Sequence, residues 1–278
     1  MLVIGLGEVG QPLYELLKEN PRFDVYALDL NKEKMRDIGQ HESDFPSEIE
    51  VMHVCIPCSD KTKFVKTVVD YVHRFNPKLV IINSTVELGA TLDVYKRCGN
   101  CLVAHSPIRG VHKSTDYMKK ELKRWTKYIG GTTPEASEKS RKHFNKLGLK
   151  TKILKSCIET ELAKLFETTY RAWMIACFQE MHRISRHIGA SFDDVVDFIE
   201  DTHRVRHDRP VMFPGVIGGH CQIQNTELLM KTYDSKFLEI ILESNEKRKE
   251  EIKNPKIVEE VEKIKKRVKA NEKQTLAP

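Results

Sequence analysis

The sequence predicts an α/β protein in which a doubly wound parallel sheet is followed by an all-α central domain. Short apolar stretches alternate with helical patterns through the first half of the 278 residues, and from Glu159 onward the pattern is helical only. Alternation of this kind indicates a mostly parallel sheet with helices on both faces. The predicted regions are a sheet domain over 1–155, a helical central domain over 156–250 and a charged helical tail over 251–278.

A glycine pattern separates the first strand from the first helix. In LVIGLGEVGQPLYELLKEN, an apolar stretch leads into Gly5-x-Gly7-x-x-Gly10, and an amphipathic helix is predicted from about Pro12. Gly5 permits a tight turn, Gly7 lets the backbone approach a pyrophosphate, and Gly10 lets the helix pack on the strand. The amides at the helix N-terminus then face the phosphates. This pattern is typical of a Rossmann-type domain; the alternative is a glycine-rich turn in an α/β domain without a cofactor.

An acidic residue follows the second predicted strand, DVYALDL. Asp29 lies about 20 residues after the glycines, where an acid binds the ribose hydroxyls of a dinucleotide. Its charge favours NAD over NADP because it would repel a 2′-phosphate, although Lys32 and Lys34 leave NADP open. The residues predicted to bind the cofactor are Gly5, Gly7, Glu8, Val9, Gly10, Asp29, Cys55, Pro57, Ser84 and Thr85.

Strands and helices continue to alternate after this unit. Strands are predicted at VMHVCIP, LVIINS, CLVAHS and KYIGG, with helices near Lys61–Phe75 and Leu88–Lys96. Ligands of such sheets bind beyond the carboxyl ends of the strands. The chemically useful residues at those ends are Cys55, Ser84, Thr85, Ser106 and Arg109.

Two CxxC pairs resemble paired zinc knuckles. Cys55 and Cys58 end one strand, whereas Cys98 and Cys101 begin another. In a parallel sheet those positions lie at opposite rims, about 17 Å apart for a five-residue strand. Zinc needs all four sulfurs about 2.3 Å from one point. We therefore expect small buried thiols and no metal site.

The second half predicts long helices. Residues 159–188 form one predicted helix of about 45 Å that stops near Gly189. A helix this long and apolar generally needs a partner, so a homodimer through it is expected. SFDDVVDFIEDTH predicts a further helix with Ser191 as its N-cap, and the charged tail predicts another. Between them, HRVRHDRP offers Arg206 and Arg209 to an anionic substrate; the alternative is a solvated charged loop.

Composition excludes several classes of protein. The net charge is +6, but part of the excess lies in the tail, so no nucleic-acid partner is predicted. No apolar run reaches the roughly 20 residues of a membrane helix. The sequence opens directly into a strand without a basic leader, and its seven cysteines are odd in number. These features predict a cytoplasmic protein in a reducing compartment.

Five blocks occur in the order in which they occur in one enzyme family. GLGEVGQPL, NSTVELGAT, HSP, ELAKLFETTYRAW and PGVIGGHC resemble blocks of the UDP-glucose/GDP-mannose dehydrogenase family, from Gly5 to about Leu229. The resemblance implies oxidation of a sugar C6 alcohol to a carboxylate with two NAD. It implies that Cys221 adds to the intermediate aldehyde, that Lys164 stabilises the oxyanion and that Thr85 positions water. The predicted substrate-binding residues are Arg109, Thr168, Arg206, Arg209, Gly218, Gly219, His220 and Asn225.

Four positions depart from the family pattern. Ile108 and His112 stand where the family has acids, Thr168 replaces an asparagine, and Asn225 replaces an aspartate. Asn225 could instead cap a helix TELLMK. Loss of a general base typically costs about 10²–10⁴ in rate, which leaves the four-electron oxidation open. The resemblance also implies a C-terminal domain that closes over the substrate nucleotide, so half of a nucleotide-sugar site is missing from this sequence unless another chain supplies it.

Three hypotheses follow. The first is an NAD-dependent dehydrogenase of an anionic, sugar-derived alcohol, with Cys221 either covalent or only lining the site. The second is a two-electron enzyme similar to the β-hydroxyacid dehydrogenases, which would use Lys164 without thiol chemistry. The third is a dimeric NAD-binding protein that has lost catalysis. A substrate-facing Cys221 is preferred over an inert buried thiol.

Overall fold

The chain forms two compact units, Met1–Lys164 and Leu165–Pro278. The structure is a computed structural model that describes residues 1–218 and 220–275. The first unit holds a seven-stranded sheet with helices, and the described part of the second unit contains helices and no strand. The predicted fold class is confirmed. None of the helices that the described residues form is long and apolar enough to cross a membrane.

The sheet of the first unit is parallel except at one pairing. Its strands are β1 (Leu2–Ile4), β2 (Tyr26–Leu28), β3 (Ile49–Val54), β4 (Pro77–Ile82), β5 (Leu102–His105), β6 (Lys127–Gly131) and β7 (Thr151–Ile153). Their order across the sheet is β2-β1-β3-β4-β5-β6-β7, and only β6 runs antiparallel to its neighbour β5. The strand order reverses between β1 and β3, and ligands of doubly wound sheets bind beyond this point.

Helices connect the strands. They are α1 (Gly10–Lys18), α2 (Lys32–Ile38), α3 (Lys61–Phe75), α4 (Ala90–Arg97), α5 (Thr115–Arg124) and α6 (Pro134–Lys146). The predicted bounds of α3 are confirmed, because the Asp60 carboxylate caps its first turn and Asn76 ends it in a left-handed conformation. The predicted strand DVYALDL is longer than the observed β2, which spans only Tyr26–Leu28 because β1 offers only three residues for pairing.

Two apolar layers cover the faces of the sheet. Phe64 and Val68 of α3 pack with Leu2 and Met52 in one layer. Leu13 of α1 and Phe144 of α6 belong to the other. Because both faces are covered, the strands are nearly continuous apolar runs, and polar groups concentrate at the strand ends.

The second unit is built from helices. They are α7 (Cys157–His187), which starts in the first unit, α8 (Phe192–Arg206), α9 (His220–Met230), α10 (Lys236–Glu251) and α11 (Pro255–Thr275). The Ser191 hydroxyl accepts from the amide of Asp194, so its predicted role as N-cap of α8 is confirmed. The tail packs on the body of this unit, because Ile264 is fully buried and Arg267 pairs with Asp193 on α8.

Candidate active site

The glycine turn after β1 is shaped by two close contacts. Gly5 has φ +87°, a left-handed conformation that favours glycine, and a Cβ there would lie 2.9 Å from the Cys55 carbonyl oxygen. A Cβ on Gly10 would lie 1.7 Å from the Gly5 carbonyl oxygen, so α1 packs directly on the turn. At Gly7, by contrast, no atom lies within 4 Å of the Cβ position. The turn is therefore tight at its ends and open at its middle glycine.

Asp29 joins the end of β2 to this turn. One carboxylate oxygen accepts from the Leu6 amide at 2.6 Å and the other from the Asn31 amide at 2.8 Å. The Lys34 ammonium donates to the Leu6 carbonyl at 2.8 Å, so this lysine is bound to the turn. A carboxylate has about four acceptor positions, which leaves capacity on both Asp29 oxygens for hydroxyl donors.

A cavity of about 220 Å³ lies beside the start of α1. Gly7, Glu8 and His112 line it, and the His112 ring lies 3.9 Å from the Glu8 carboxylate. Val9 occupies the N-cap of α1, and its side chain cannot accept a hydrogen bond. The Gln11 amide donates to the Gly7 carbonyl at 3.0 Å and Pro12 has no N–H, so an anion here would meet the Gly10 amide and the positive end of the helix dipole.

The ends of β3 and β4 are tied to each other. The Ser84 hydroxyl donates to the Ile56 carbonyl at 2.6 Å, and the Cys55 amide donates to the Ile4 carbonyl at 2.8 Å. Burial raises the pKa of the Cys55 thiol to about 12, so it stays protonated. Pro57 is exposed and Thr85 is half-buried. We call this rim, formed by Gly5, Cys55, Ser84 and the residues after β5, the carboxyl edge.

The residues after β5 contain a buried histidine and face a buried lysine. The His105 ring contacts the Thr160 hydroxyl at 2.8 Å and the Ser84 carbonyl at 3.0 Å, and burial lowers its pKa to about 3. The Lys127 ammonium donates to the carbonyls of Ser106 at 2.5 Å and Pro107 at 3.1 Å. Burial lowers the pKa of Lys127 to about 7, the Cys55 thiol opposes this, and the charges of Lys164 and Arg109 lower it further.

Arg109 is held next to Lys127. Its guanidinium donates to the Thr126 carbonyl at 2.9 Å and lies 5.1 Å and 5.0 Å from the rings of Trp125 and Tyr128. Cation–π contacts with these two rings fix the position of this charge. Ile108 beside it is buried, at 5% exposure, and offers no acid–base group.

Lys164 lies at the carboxyl edge through the first turns of α7. Its positive charge contributes to the lowered pKa of both His105 and Lys127. One turn earlier, the buried Glu161 carboxylate accepts from the amides of Gly89 at 2.7 Å and Thr91 at 2.9 Å. Glu161 thereby caps α4 and locks the start of α7 to the NSTVELGAT block.

In the second unit, the predicted site residues gather around α9. Cys221 is the second residue of this helix and is half-buried. The Asn225 amide donates to the Thr168 hydroxyl at 2.8 Å, and Asn225 is 3% exposed. The prediction that Asn225 caps a helix is wrong, because α9 begins at His220 and Asn225 lies inside it.

The glycine-rich segment before α9 is anchored by two buried side-chain amides that no local sequence pattern marks. The Gln179 side chain donates to the Gly215 carbonyl at 2.7 Å, and the Asn245 side chain accepts from the Ile217 amide at 2.8 Å. Gly218 follows and is exposed. Gly219 and the side chain of His220 lie outside the described residues.

The two arginines predicted to bind an anion lie on the surface. Arg206 is the last residue of α8 and is exposed. Arg209 pairs with Asp208 at 2.7 Å and lines a groove of about 330 Å³ with apolar residues of α7, including Tyr170 and Trp173. Within the described residues, no group of three or more His, Cys, Asp or Glu side chains could hold a metal ion.

Comparison with known proteins bears on this arrangement. The model of the UDP-glucose/GDP-mannose dehydrogenase family, central domain, matches residues 158–247. The predicted family resemblance is confirmed. A UDP-N-acetyl-D-mannosamine dehydrogenase from Methanocaldococcus jannaschii is 28% identical over 282 residues, which cover 88% of this chain. The chain spans 64% of the length of that relative.

Solved structures show the same fold. A UDP-D-ManNAc dehydrogenase from Pyrococcus horikoshii has a TM-score of 0.74 at 21% identity and covers 89% of this chain and 69% of its own. A 3-hydroxyisobutyrate dehydrogenase from Mycobacterium tuberculosis has a TM-score of 0.65 at 14% identity, with 88% of this chain and 90% of its own covered. At these identities the likeness establishes the fold alone.

Proposed function

We propose that this chain is the cofactor-binding and central part of an NAD-dependent dehydrogenase that oxidises an alcohol of a nucleotide sugar. The observation that carries the proposal is the position of Lys164, whose charge reaches the same carboxyl edge at which the glycine turn opens. The family match and the relatives named UDP-N-acetyl-D-mannosamine dehydrogenase support a UDP-N-acetylhexosamine as substrate.

The residues of the first unit fit NAD. The open side of Gly7 and the Gly10 amide at the start of α1 would receive the pyrophosphate, and the Asp29 carboxylate would accept from the ribose hydroxyls. When bound, NAD supplies the hydride acceptor for the alcohol carbon. Lys34 is engaged by the Leu6 carbonyl, so it is not placed as a free partner for a 2′-phosphate, and this supports NAD over NADP.

Lys164 would act on the alcohol oxygen. As the hydroxyl proton leaves, negative charge develops on that oxygen, and a nearby ammonium stabilises it. His105 is neutral and fully hydrogen-bonded to Thr160 and Ser84, so it is a structural support for the edge rather than a competing base.

Cys221 would serve the second oxidation. It lies in the first turn of α9, where the helix dipole favours a negatively charged sulfur, and it is half-buried rather than sealed in the core. The sulfur would add to the aldehyde product and hold it as a thiohemiacetal, whose oxidation gives a thioester that water hydrolyses.

A two-electron β-hydroxyacid-type dehydrogenase is the second candidate. Asn225 replaces the family's aspartate, and its amide donates to the Thr168 hydroxyl. Neither side chain therefore supplies a base for thioester hydrolysis. Such a reaction needs Lys164 but no nucleophilic sulfur.

We also propose a homodimer through α7. Phe166, Tyr170 and Ile184 of this helix are 53%, 58% and 54% exposed. A second copy of α7 would remove this apolar surface from water.

The test is the yield of NADH per substrate. Native protein and the variants Cys221→Ala and Lys164→Met are supplied with UDP-N-acetylmannosamine, UDP-glucose, GDP-mannose and 3-hydroxyisobutyrate. Cys177→Ala, which alters a half-buried cysteine of the same unit, is the matched control. Two NADH per sugar from the native protein and Cys177→Ala, at most one from Cys221→Ala and none from Lys164→Met, support thioester chemistry. One NADH per substrate from the native protein, with the same yield from Cys221→Ala, supports the second candidate. NAD binding without NADH from any substrate overturns both in favour of an NAD-binding protein without catalysis.

A further inference from the structure

The segment Cys98-Gly99-Asn100-Cys101 joins α4 to β5 at the rim of the sheet opposite the carboxyl edge. Cys98 ends α4, and its amide donates to the Val94 carbonyl at 2.9 Å. Gly99 then takes φ +73°, a left-handed turn that favours glycine and reverses the chain before β5. The turn brings the two cysteine side chains of the CxxC motif together.

The two sulfur atoms are in direct contact. The Cys101 thiol donates to the Cys98 sulfur across 2.6 Å, and both residues are 6% exposed. The Cys98 thiol also reaches the Tyr95 carbonyl at 3.5 Å. A disulfide bond is about 2.05 Å long, so closing this pair needs only a small movement of the side chains.

We propose that Cys98 and Cys101 form a thiol–disulfide exchange site that accepts low-molecular-weight disulfides such as oxidised glutathione. The Cys98 thiolate attacks one sulfur of the small disulfide, a mixed disulfide forms, and one small thiolate leaves and takes a proton from solvent. Cys101 then loses its proton and attacks the Cys98 sulfur, which releases the second small thiol. In total, two cysteine thiols are oxidised to one disulfide, and the small disulfide is reduced to two thiols.

The hydrogen bond between the thiols decides which sulfur attacks. Donation from Cys101 lowers the pKa of Cys98, and the same bond raises the pKa of Cys101. Cys98 also sits at the negative end of the α4 dipole, which does not favour a thiolate, so the donor on Cys101 is the source of its reactivity. Gly99 and Asn100, which lie between the two cysteines, are both exposed.

The chain contains its own matched control. Cys55 and Cys58 have the same CxxC spacing but lie at the carboxyl edge. Burial raises the pKa of Cys55 to about 12, so this thiol is a poor nucleophile at neutral pH. Exchange should therefore be selective for the pair at the opposite rim.

The experiment uses the full chain in glutathione redox buffers of increasing oxidised fraction. After an acid quench, free thiols are alkylated in denaturant, and peptides are identified by mass spectrometry. We expect a Cys98–Cys101 disulfide to form at least about tenfold faster than any modification of Cys55 or Cys58. In Cys101→Ser, Cys98 should accumulate a glutathione mixed disulfide, whereas Cys98→Ser should leave Cys101 largely a thiol.

Two outcomes overturn the proposal. One is that the native chain shows Cys98 and Cys101 alkylated to the same extent as Cys55 and Cys58 in the most oxidising buffer. The other is that Cys98 ends as a stable glutathione adduct in the native chain, because Cys101 would then fail to resolve it. Both readouts come from the native sequence, so they do not depend on the folding of a variant.

Discussion

Lys127 has a buried ionisable group and defined hydrogen bonds, so its contribution to stability has a calculable pH dependence. Its side chain is 4% exposed, and burial lowers its pKa from 10.5 to about 7. That difference corresponds to roughly 5 kcal/mol between the native and unfolded states. Between about pH 7 and about pH 10.5, the unfolded chain holds the proton that the native chain has lost. The free energy of unfolding contributed by Lys127 therefore rises with pH between about 7 and about 10.5, and it is constant below this window because both states then hold the proton.

The perturbation is Lys127→Met, measured by denaturant unfolding from neutral to alkaline pH. Lys127 also lowers the pKa of Cys55 and His105, but these groups titrate at about 12 and about 3, outside this window, so the difference between native and variant isolates Lys127. We expect this difference to grow in favour of the native protein by several kcal/mol, of the roughly 5 kcal/mol available, as pH rises. Lys66→Met, on the exposed face of α3, should show a difference that does not change with pH. A pH-independent difference for Lys127→Met would refute the reasoning.

Three further predictions test the glycine turn, the α7 surface and the buried amide. Gly10→Ala should abolish NAD binding in calorimetry, because its Cβ would lie 1.7 Å from the Gly5 carbonyl oxygen; retained affinity would contradict the packing described. Phe166→Asp should shift the native mass in sedimentation from dimer to monomer, and an unchanged mass would count against α7 as the interface. Asn225→Asp should lower the free energy of unfolding by about 1–3 kcal/mol, because a buried amide donor to Thr168 is lost; equal stability would argue against that hydrogen bond.

Local signals in the sequence were sufficient for much of the fold. The bounds of α3 follow from an amphipathic pattern between Asp60 and Asn76, and Ser191 predicts the start of α8. Two polar helices, α5 and α6, were not predicted from apolar periodicity, although Ser114 and Thr133 cap them in the structure. Capping residues would have been the better signal for helices with so few apolar residues.

Some residues of the candidate site could likewise be predicted from local sequence, and others could not. The glycines and Asp29 follow from spacing along one strand–turn–helix unit, so sequence alone could select them. Lys127 and Glu161 bind backbone groups 20 to 72 positions away in the chain, and no local pattern predicts such contacts. Asn225 was assigned to a cap because the start of α9 at His220 is not marked by a preferred N-cap residue.

The charges at the carboxyl edge explain why activity alone will not separate the two candidate reactions. Arg109 is fixed by two rings and Thr126, Lys164 adds a second cation, and Lys127 titrates near neutral pH. Cations stabilise an alkoxide, and the first oxidation is common to both reactions. Only the second oxidation needs a sulfur and a base for hydrolysis, and at the positions of the family acids this chain has the apolar Ile108 and the amide Asn225. The count of NADH per substrate in the native protein, compared with the count in Cys221→Ala, therefore discriminates between the two reactions where a rate cannot.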